Sequence, residues 1–407
     1  MSNSVTQVTQ QSWFGRLGAS IKGILVGVVL FLISLGLLWW NEGRAVKTAS
    51  GLRQLRTEVV TVESDEIDPA NEGRAVHLVG EAVTDETLSD PEFDLAVAAL
   101  RLRRRAEMYQ WKEESRSEER RKVGGGSETV TTYDYKKDWS EQAIPSDRFH
   151  QATGHENPGP LRIESRDVDA KEVALGAFRL SPGLLRQMDD FETITLSESE
   201  TAAIRKKFND RVTIEANTVY LPFSENGPLP VPGSPKIGDL RVQFSTVAPS
   251  VVSVIARQVK GAFEPWRAGS GVSFELLAAG TRSADEMISQ RESANTMLTW
   301  LLRLAGFVLM AFSIGMVFSP LAVVADVLPI LGDLMRMGVG LFAIVVAAAL
   351  SMVTIAAAWL AYRPVLAVSL IVIGIVLVGG LWSFARRRKA KAVAAVPPPP
   401  PPPSRAK

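Results

Sequence analysis

The 407-residue sequence contains no cysteine and only three histidines. The missing cysteine excludes disulfides, thiolate nucleophiles and cysteine-ligated metal centres. Two of the histidines, His150 and His155, are close in sequence, but their spacing fits no HExxH-type zinc motif. We therefore predict no metal site, and we expect His155 to be hydrogen-bonded inside a folded domain, in a shaped turn.

An excess of charge of one sign is also absent, because 45 Lys and Arg residues face 44 Asp and Glu residues and leave a formal net charge of +1. This balance predicts no nucleic-acid partner. The sequence has no GxSxG, Walker or dinucleotide motif, and no GK[ST] follows the triple glycine at 124–126. We predict neither a cofactor nor an enzymatic activity, although the scattered residues of a serine or carboxylate enzyme would leave no such motif.

Two regions, residues 24–40 and 299–382, hold almost all of the long apolar runs. The first ends at a pair of tryptophans instead of a small-residue cleavage site, so it is predicted to be a retained transmembrane helix rather than a signal peptide. Its Gly23 and Gly27 form a GxxxG pair. Such a pair either allows another helix to approach closely or is simply two small residues in a short span.

The second apolar region divides at its helix breakers into three predicted spans, 299–318, 338–360 and 365–384. Residues 321–331 are too short to cross a bilayer and contain Asp326, so they are predicted to be interfacial or re-entrant. A basic cluster at 386–391 follows the last span directly, and such clusters normally stay in the cytoplasm. Four spans would place both termini in the cytoplasm and the polar middle of the chain on the opposite face.

The predicted fold class is an integral membrane protein with about four transmembrane α-helices, one N-terminal and three C-terminal, and a large mainly-β (α+β) extracytoplasmic domain. A capping box at 283–286 starts an amphipathic helix that continues into the next span and would couple domain and membrane rigidly. The predicted order is a cytoplasmic tail 1–20, span 21–40, β domain 41–282, juxtamembrane helix 283–298, span 299–318, cytoplasmic interfacial segment 319–337, span 338–360, span 365–384, and a basic, Pro-rich cytoplasmic tail 385–407.

The middle of the chain is predicted to be mainly β because short alternating or β-branched runs are separated by Gly, Pro, Asn and Asp. One hairpin is expected to lead through a charged ribbon at 113–122 to a turn at the triple glycine, where positive φ needs no side-chain room. A second capping box, at 197–200, predicts a short helix. The predicted strands are 74–83, 97–111, 129–139, 172–180, 212–221, 239–247, 251–258 and 272–278.

A six-residue motif, Asn-Glu-Gly-Arg-Ala-Val, occurs twice, at 41–46 and at 71–76. Asn and Gly tolerate left-handed backbone geometry, so each copy is predicted to form a turn that starts an element near the membrane rim. Binding of a ligand by the charged pair is the alternative. The candidate residues are Asn41, Glu42 and Arg44 in the first copy, and Asn71, Glu72 and Arg74 in the second.

Three arginines, Arg101, Arg103 and Arg105, alternate along one predicted strand and so point to one face of it. In a domain held close to a membrane, such a row would contact anionic headgroups. The alternative is pairing with acidic side chains on a neighbouring strand.

Six segments together resemble the transmembrane protein 43 family, also called LUMA, from the first span to the last. They are Asn41-Glu42-Gly43-Arg44-Ala45, Glu107-Met108-Tyr109-Gln110-Trp111, Gly154-His155-Glu156-Asn157-Pro158, Gly238-Asp239-Leu240-Arg241-Val242, Val254-Ile255-Ala256-Arg257-Gln258 and Tyr362-Arg363-Pro364. The animal members are four-span proteins of the endoplasmic reticulum and inner nuclear membrane that self-associate and bind emerin and lamins. The resemblance implies a non-enzymatic, multi-pass membrane scaffold or membrane-organising protein.

Some features depart from the animal pattern. The proline run at 397–403 is not part of it, and the absence of cysteine together with compact loops suits a bacterial member. A bacterial inner membrane is therefore favoured, and emerin or lamin partners apply only to an animal source, where the endoplasmic reticulum and inner nuclear membrane would be expected. Membrane lipids, further copies of the chain and other membrane proteins are the expected partners. A transporter or channel component, or an envelope lipid-sensing or lipid-processing protein, is the alternative function.

Overall fold

The structure is a computed structural model that describes residues 4–224 and 227–364. Within these residues the helices are α1 (Trp13–Glu58), α2 (Pro182–Leu185), α3 (Glu198–Lys207), α4 (Ala284–Ala325) and α5 (Pro329–Tyr362). The strands are β1 (Ser4–Gln11), β2 (Val60–Thr61), β3 (Ala75–Val83), β4 (Thr87–Asp90), β5 (Leu95–Ala98), β6 (Arg101–Arg121), β7 (Ser127–Ser140), β8 (Arg166–Asp169), β9 (Ala174–Leu175), β10 (Phe178–Arg179), β11 (Glu192–Thr193), β12 (Thr213–Glu215), β13 (Thr218–Leu221), β14 (Leu240–Val247), β15 (Ser250–Val259), β16 (Ala262–Glu264), β17 (Trp266–Arg267), β18 (Ser273–Phe274) and β19 (Leu276–Ala279).

Two sheets make up most of the β domain. The first has eight strands in the order β1-β7-β6-β14-β13-β12, with β8 beside β6 and β11 beside β14. The second has seven strands in the order β19-β15-β16-β10-β9-β3-β2, and β15 also pairs with β3. Their apolar residues form one core, in which the rings of Phe93, Phe178 and Phe244 are fully buried. Burial of such large side chains contributes most of the domain's hydrophobic stabilisation.

The mainly-β prediction for the middle of the chain is confirmed. Segments 74–83 and 251–258 are β3 and β15, whereas the predicted strand 97–111 breaks at residues 99–100 and is divided between β5 and β6. The predicted hairpin is present, with β6 and β7 paired from Met108↔Ser140 to Arg121↔Ser127. Both predicted capping boxes start helices, α3 at Ser197 and α4 at Ser283.

Three helices, α1, α4 and α5, contain segments that are long and apolar enough to cross a membrane. Their outward faces carry exposed leucine, valine and phenylalanine side chains, as expected of helices covered by lipid. The chain is therefore a membrane protein with an α+β domain. The predicted fourth span, 365–384, and the predicted tail, 385–407, lie outside the described residues.

Two of the membrane helices, α1 and α4, extend into the β domain without a break. The last turns of α1 bring Leu52 and Leu55 into a second buried cluster, where they join Met287 and Ile288 from the first turns of α4 and Ile255 of β15. The predicted continuous helix after 283 is thus confirmed. The sequence did not predict the matching extension of α1, which runs for 46 residues instead of ending at Trp40.

Close packing of α1 on α4 explains the predicted glycine pair. A Cβ atom at Gly27 would lie 2.9 Å from the carbonyl oxygen of Ser313, closer than real contacts allow. Gly23 is less tight, since a Cβ there would meet only the terminal methyl of Met316 at 3.7 Å. Of the two alternatives for this pair, the structure shows helix approach, and Gly27 is the residue that requires it.

Two predictions about breaks in the helical regions are wrong. Helix α4 continues through Pro320 to Ala325, because the Ser319 hydroxyl donates to the Met316 carbonyl at 2.8 Å, the acceptor left open by the missing N–H of Pro320. Residues 321–331 are consequently the end of α4, a short turn and the start of α5, and not a separate element. Within the predicted tail, residues 4–11 form β1, and α1 already begins at Trp13 instead of residue 21.

The distal part of the hairpin forms a three-stranded ribbon, defined here as β1, residues 109–121 of β6 and residues 127–139 of β7. Strand β1 pairs with β7 over its whole length, from Ser4↔Asp134 to Gln11↔Ser127. At the tip of the ribbon, Gly124 and Gly125 have φ values of +92° and +80° and close the turn. The tip packs against the first turn of α1 and against the turn between α4 and α5.

Candidate functional site at the helix and domain junction

One buried carboxylate joins the three long helices where they approach the domain. Glu42 of α1 is 2% exposed and accepts two hydrogen bonds from Arg303 of α4, at 2.6 and 2.9 Å. Its Oε2 also accepts from the indole Nε1 of Trp359 on α5, at 2.8 Å. Three donors on one carboxylate compensate for its removal from water, so the charge stabilises the helix arrangement only while Arg303 is present.

The neighbouring residues of the first motif copy attach α1 to α4. Asn41 donates to the Thr299 carbonyl at 3.1 Å, and Arg44 donates to Asn295 Oδ1 at 2.9 Å and to Thr299 Oγ1 at 3.0 Å. The motif is therefore helical here, and the predicted turn at 41–46 is wrong. The helix persists because each polar side chain of the motif has a partner on another helix. We call Asn41, Glu42, Arg44, Thr299, Arg303 and Trp359 the junction cluster.

The second motif copy forms the predicted turn. A 3-10 turn over Pro69–Asn71 precedes Gly73, whose φ is +78°, and β3 starts two residues later. Glu72 accepts from the backbone N–H of Lys260, and Arg74 donates to Asn71 at 3.4 Å. In neither copy does the Glu contact the Arg of the same motif. The charges are used for local structure, and the geometry gives no support to a shared ligand site.

The arginine row is paired with acidic side chains. Arg101 donates to Asp169 at 2.8 Å, and Arg103 forms two hydrogen bonds with Asp167 at 2.9 and 2.8 Å, both acids lying on the adjacent strand β8. Arg105 pairs with Glu141. The hydrogen bond from Arg103 lowers the pKa of the Asp167 carboxyl, which therefore stays charged. The structure thus shows the alternative of cross-strand pairing, and contact of this row with headgroups is not supported.

His155 lies inside the domain as predicted. It is 2% exposed, its Nδ1 is 3.1 Å from the Gln151 carbonyl, and its ring stacks on Tyr135 with centroids 3.9 Å apart. The ring of Trp111 contacts it edge-on at 4.7 Å. His155 therefore packs the 146–157 loop onto the base of the ribbon. This is a structural role.

A second charge cluster, which the sequence analysis missed, lies at the other end of the helix bundle. Asp326, in the turn after α4, is fully buried and accepts from Arg16 at 2.7 Å and from Arg336 at 2.8 and 2.9 Å. Arg121, at the end of β6, approaches the same carboxylate at 4.0 Å and pairs with Asp333. We call Arg16, Arg121, Asp326, Asp333 and Arg336 the distal cluster. In the sequence, Asp326 stands out as a lone acid in an apolar region, which could have indicated a buried ion pair. Its partners Arg16 and Arg121, however, are far away in sequence.

The distal cluster also fixes the ribbon tip. Arg16 donates to the Gly125 carbonyl at 2.6 Å, and the indole of Trp13 donates to the Val323 carbonyl at 2.9 Å. From Arg16 to Asn41 the helix rises by about 38 Å, slightly more than the roughly 30 Å of a hydrocarbon core. The two clusters therefore lie at opposite ends of the apolar stretch of α1.

The buried carboxylates of both clusters are engaged by arginine. Glu42 accepts from Arg303, and Asp326 accepts from Arg16 and Arg336, so their oxygens are already occupied by hydrogen-bond donors. Within residues 4–224 and 227–364, no three His, Asp or Glu side chains are placed to hold a metal ion. The arrangement is suited to holding helices, domain and ribbon in one fixed geometry.

Comparison with known proteins identifies the family to which the chain is similar. A family profile described as transmembrane protein 43 matches residues 108–364. The chain is 36% identical to transmembrane protein 43 of Homo sapiens over 381 residues, covering 91% of each protein. It is 36% identical to the protein of that name from Mus musculus over 88% of this chain and 89% of that one. Identity to the transmembrane protein 43 homolog of Drosophila melanogaster is 28%, over 86% of this chain and 91% of the other. No solved structure matched.

Proposed function

The chain belongs to the transmembrane protein 43 family, and we propose that it is a non-enzymatic membrane scaffold that acts through self-association or partner binding by its β domain. The β domain would stand on the extracytoplasmic face. The absence of cysteine and the compact loops favour a bacterial inner membrane, where emerin and lamins do not occur. Membrane lipids surround the apolar helices in this proposal, and no cofactor is involved.

The observation that carries the proposal is the rigid connection between membrane and domain. Helices α1 and α4 are 46 and 42 residues long, and both pass from the apolar segment into the domain core without a break. Arg56 of α1 links them again beyond the membrane through Asp285 at 2.9 Å and Glu292 at 3.1 Å. A domain held in this way displays its surface at a fixed height and orientation, which is what a scaffold requires.

The loop between β13 and β14 is the surface that we favour for protein contact. It carries Leu229 and Val231, which are 46% and 60% exposed, among several prolines. Exposed apolar side chains on a conformationally restricted loop lose little entropy when a partner covers them. This loop is therefore a better contact surface than the arginine row, whose charges are already paired.

Lysine-directed crosslinking of the full chain in its native membrane tests the proposal. We expect a discrete oligomer or a stable heteromeric product, and we expect Leu229→Ser with Val231→Ser to lower its yield several-fold without changing the thermal unfolding midpoint. Val83→Ser, at a 39% exposed site elsewhere on the domain, is the matched control and should leave the yield unchanged. Recovery of the wild-type chain only as a monomer, with no partner, would contradict the scaffold role.

A further inference from the structure

We propose that the ribbon itself crosses the membrane beside the helices, where further copies of the chain enclose it and keep it in contact with water. The crossing follows from this chain alone. The enclosure rests on the self-association proposed above.

The path of the ribbon is fixed at both ends. Its base belongs to the domain core through Ala106 and Met108, and its tip is held by the distal cluster. The fourteen residues of β6 from Met108 to Arg121 span about 43 Å, which is thirteen intervals of roughly 3.3 Å each. That length matches the apolar stretch of α1 plus one or two turns. The ribbon therefore runs alongside the part of the bundle that would lie in the bilayer.

The composition of the ribbon excludes exposure to lipid. One face of β6 carries Glu114, Arg116, Glu118 and Arg120, with exposed fractions of 61%, 82%, 56% and 71%. Each such charge costs about 2.5–3.5 kcal/mol at the centre of a bilayer on insertion scales. Strand β1, moreover, is the edge of its sheet, and open sheet edges do not occur in contact with hydrocarbon.

The membrane helices are equally unsuited to water. On α1, Leu25 is 74% exposed, Leu32 61% and Val29 55%. An apolar surface of this size, continued on α4 and α5, requires lipid or protein around it. The helices require lipid, whereas the ribbon requires water at the same height in the membrane. Both requirements are met only if protein separates the ribbon from the lipid.

Further copies of this chain fit this separating role. Any copy in the same membrane presents an identical ribbon at the same height, because the junction and distal clusters fix that height in each. The exposed face of the ribbon alternates in charge, so the arginines of one ribbon can meet the carboxylates of a neighbour. Several copies with their ribbons inward and their helices outward satisfy both surfaces.

Because the chain has no cysteine, a thiol reagent reacts only with a cysteine introduced by substitution, and its rate reports the exposure of that position to water. Ser115→Cys lies about 20 Å from Arg121 along the ribbon, and Val29→Cys lies about 20 Å from Arg16 along α1. Both positions are exposed and stand at the same height. We expect a membrane-impermeant sulfonated maleimide, given access to both faces of vesicles holding the full chain, to label Ser115→Cys at least about tenfold faster, because a lipid-facing thiol forms little thiolate. Equally slow labelling at both positions would overturn water contact.

Sidedness tests the crossing. Val123→Cys at the tip, where the native side chain is 86% exposed, should react only from the face opposite to that of Val231→Cys in the domain. Reaction of both from the same face would overturn the crossing. Thermal unfolding of each variant at the wild-type midpoint shows that it is folded.

A short bis-maleimide on Arg116→Cys, which lies on the charged face and is 82% exposed, tests the enclosure. We expect a product of twice the chain mass. No product, or one of another mass, overturns enclosure by copies. If lysine crosslinking still yields oligomers in that case, the scaffold proposal stands and only the enclosure fails. If lysine crosslinking yields none either, both fail.

Discussion

At the scale of single residues, the two buried carboxylates have the largest expected effect on stability. Glu42 and Asp326 are both removed from water and each is paired with arginine, so losing either partner leaves an uncompensated charge inside the protein. We therefore interpret the first motif copy as a polar contact that holds the helices together. The second copy, on the domain surface, has no partner of comparable burial for its Glu.

Glu42→Ala is expected to destabilise the chain by about 3 kcal/mol, because Arg303, whose side chain is only 17% exposed, would remain largely shielded from water without a counter-ion. Thermal unfolding in detergent, converted to free energy against the wild type, measures this loss. Glu264→Ala removes half of the exposed Arg257 pair and should cost at most about 1 kcal/mol. Equal losses of stability in the two variants would show that the Glu42–Arg303 pair does not hold the helices together.

His77 makes the stability of the domain depend on pH. It is 4% exposed, and its Nε2 is 2.9 Å from the Arg282 carbonyl, just before α4. Burial lowers the pKa of its imidazole below the ordinary value of about 6.5, although the bond to Arg282 opposes the shift. The unfolded chain then binds the proton more readily, so this contribution to stability is complete above about pH 6.5 and declines as the pH falls towards the folded pKa.

We expect the thermal unfolding midpoint of the wild type to fall more than that of His77→Gln when the pH is lowered from about 7.5 to about 5.5. His150→Gln, at an exposed site, is the control and should follow the wild type. Identical pH profiles for His77→Gln and the wild type would assign the pH dependence to other groups.

At the scale of elements, local rules predicted the starts of α3 and α4 and the hairpin, but not the bounds of α1 and α5 or the end of α4. The capping boxes at Ser197 and Ser283 use residues three apart, so the sequence alone was sufficient. Pro320 misled because Ser319 replaces the missing hydrogen bond, and the motif at 41–46 misled because its partners lie on α4 and α5. The distal cluster could not be predicted, since Arg16 and Asp326 are 310 residues apart.

Packing of α1 on α4 gives a test at this scale. Gly27→Leu would push against the Ser313 carbonyl and separate the helices, and we expect a loss of about 1–3 kcal/mol. Gly36→Leu, on the same helix with nothing within 4 Å of the added Cβ, should be neutral or slightly stabilising. The measurement is the thermal unfolding midpoint of each variant in the same detergent. A loss of stability in Gly36→Leu as large as that in Gly27→Leu would contradict the close approach of α1 and α4.

At the scale of the whole molecule, the distal cluster connects the start of α1, the ribbon tip and the turn between α4 and α5. No other contact of comparable burial holds the tip within the part of the chain that the structure describes. Asp326 is the buried acid at the centre of this cluster, so the position of the tip depends on it. Neutralising that residue should therefore release the tip while the domain core and the junction cluster stay intact.

We expect Asp326→Asn to increase the rate of tryptic cleavage at the basic tip, Arg120 to Lys122, by roughly tenfold, which corresponds to a loss of about 1.4 kcal/mol in the docking of the tip if cleavage follows its open population. Asp333→Asn is the matched control, because that carboxylate is 67% exposed and its pair with Arg121 contributes little. Cleavage is followed by mass spectrometry of the full chain in membranes, with the thermal midpoint of the domain measured in parallel. An unchanged rate in Asp326→Asn would mean that the tip is held by its backbone contacts alone, and a lowered domain midpoint would mean that the cluster supports the domain as well as the ribbon.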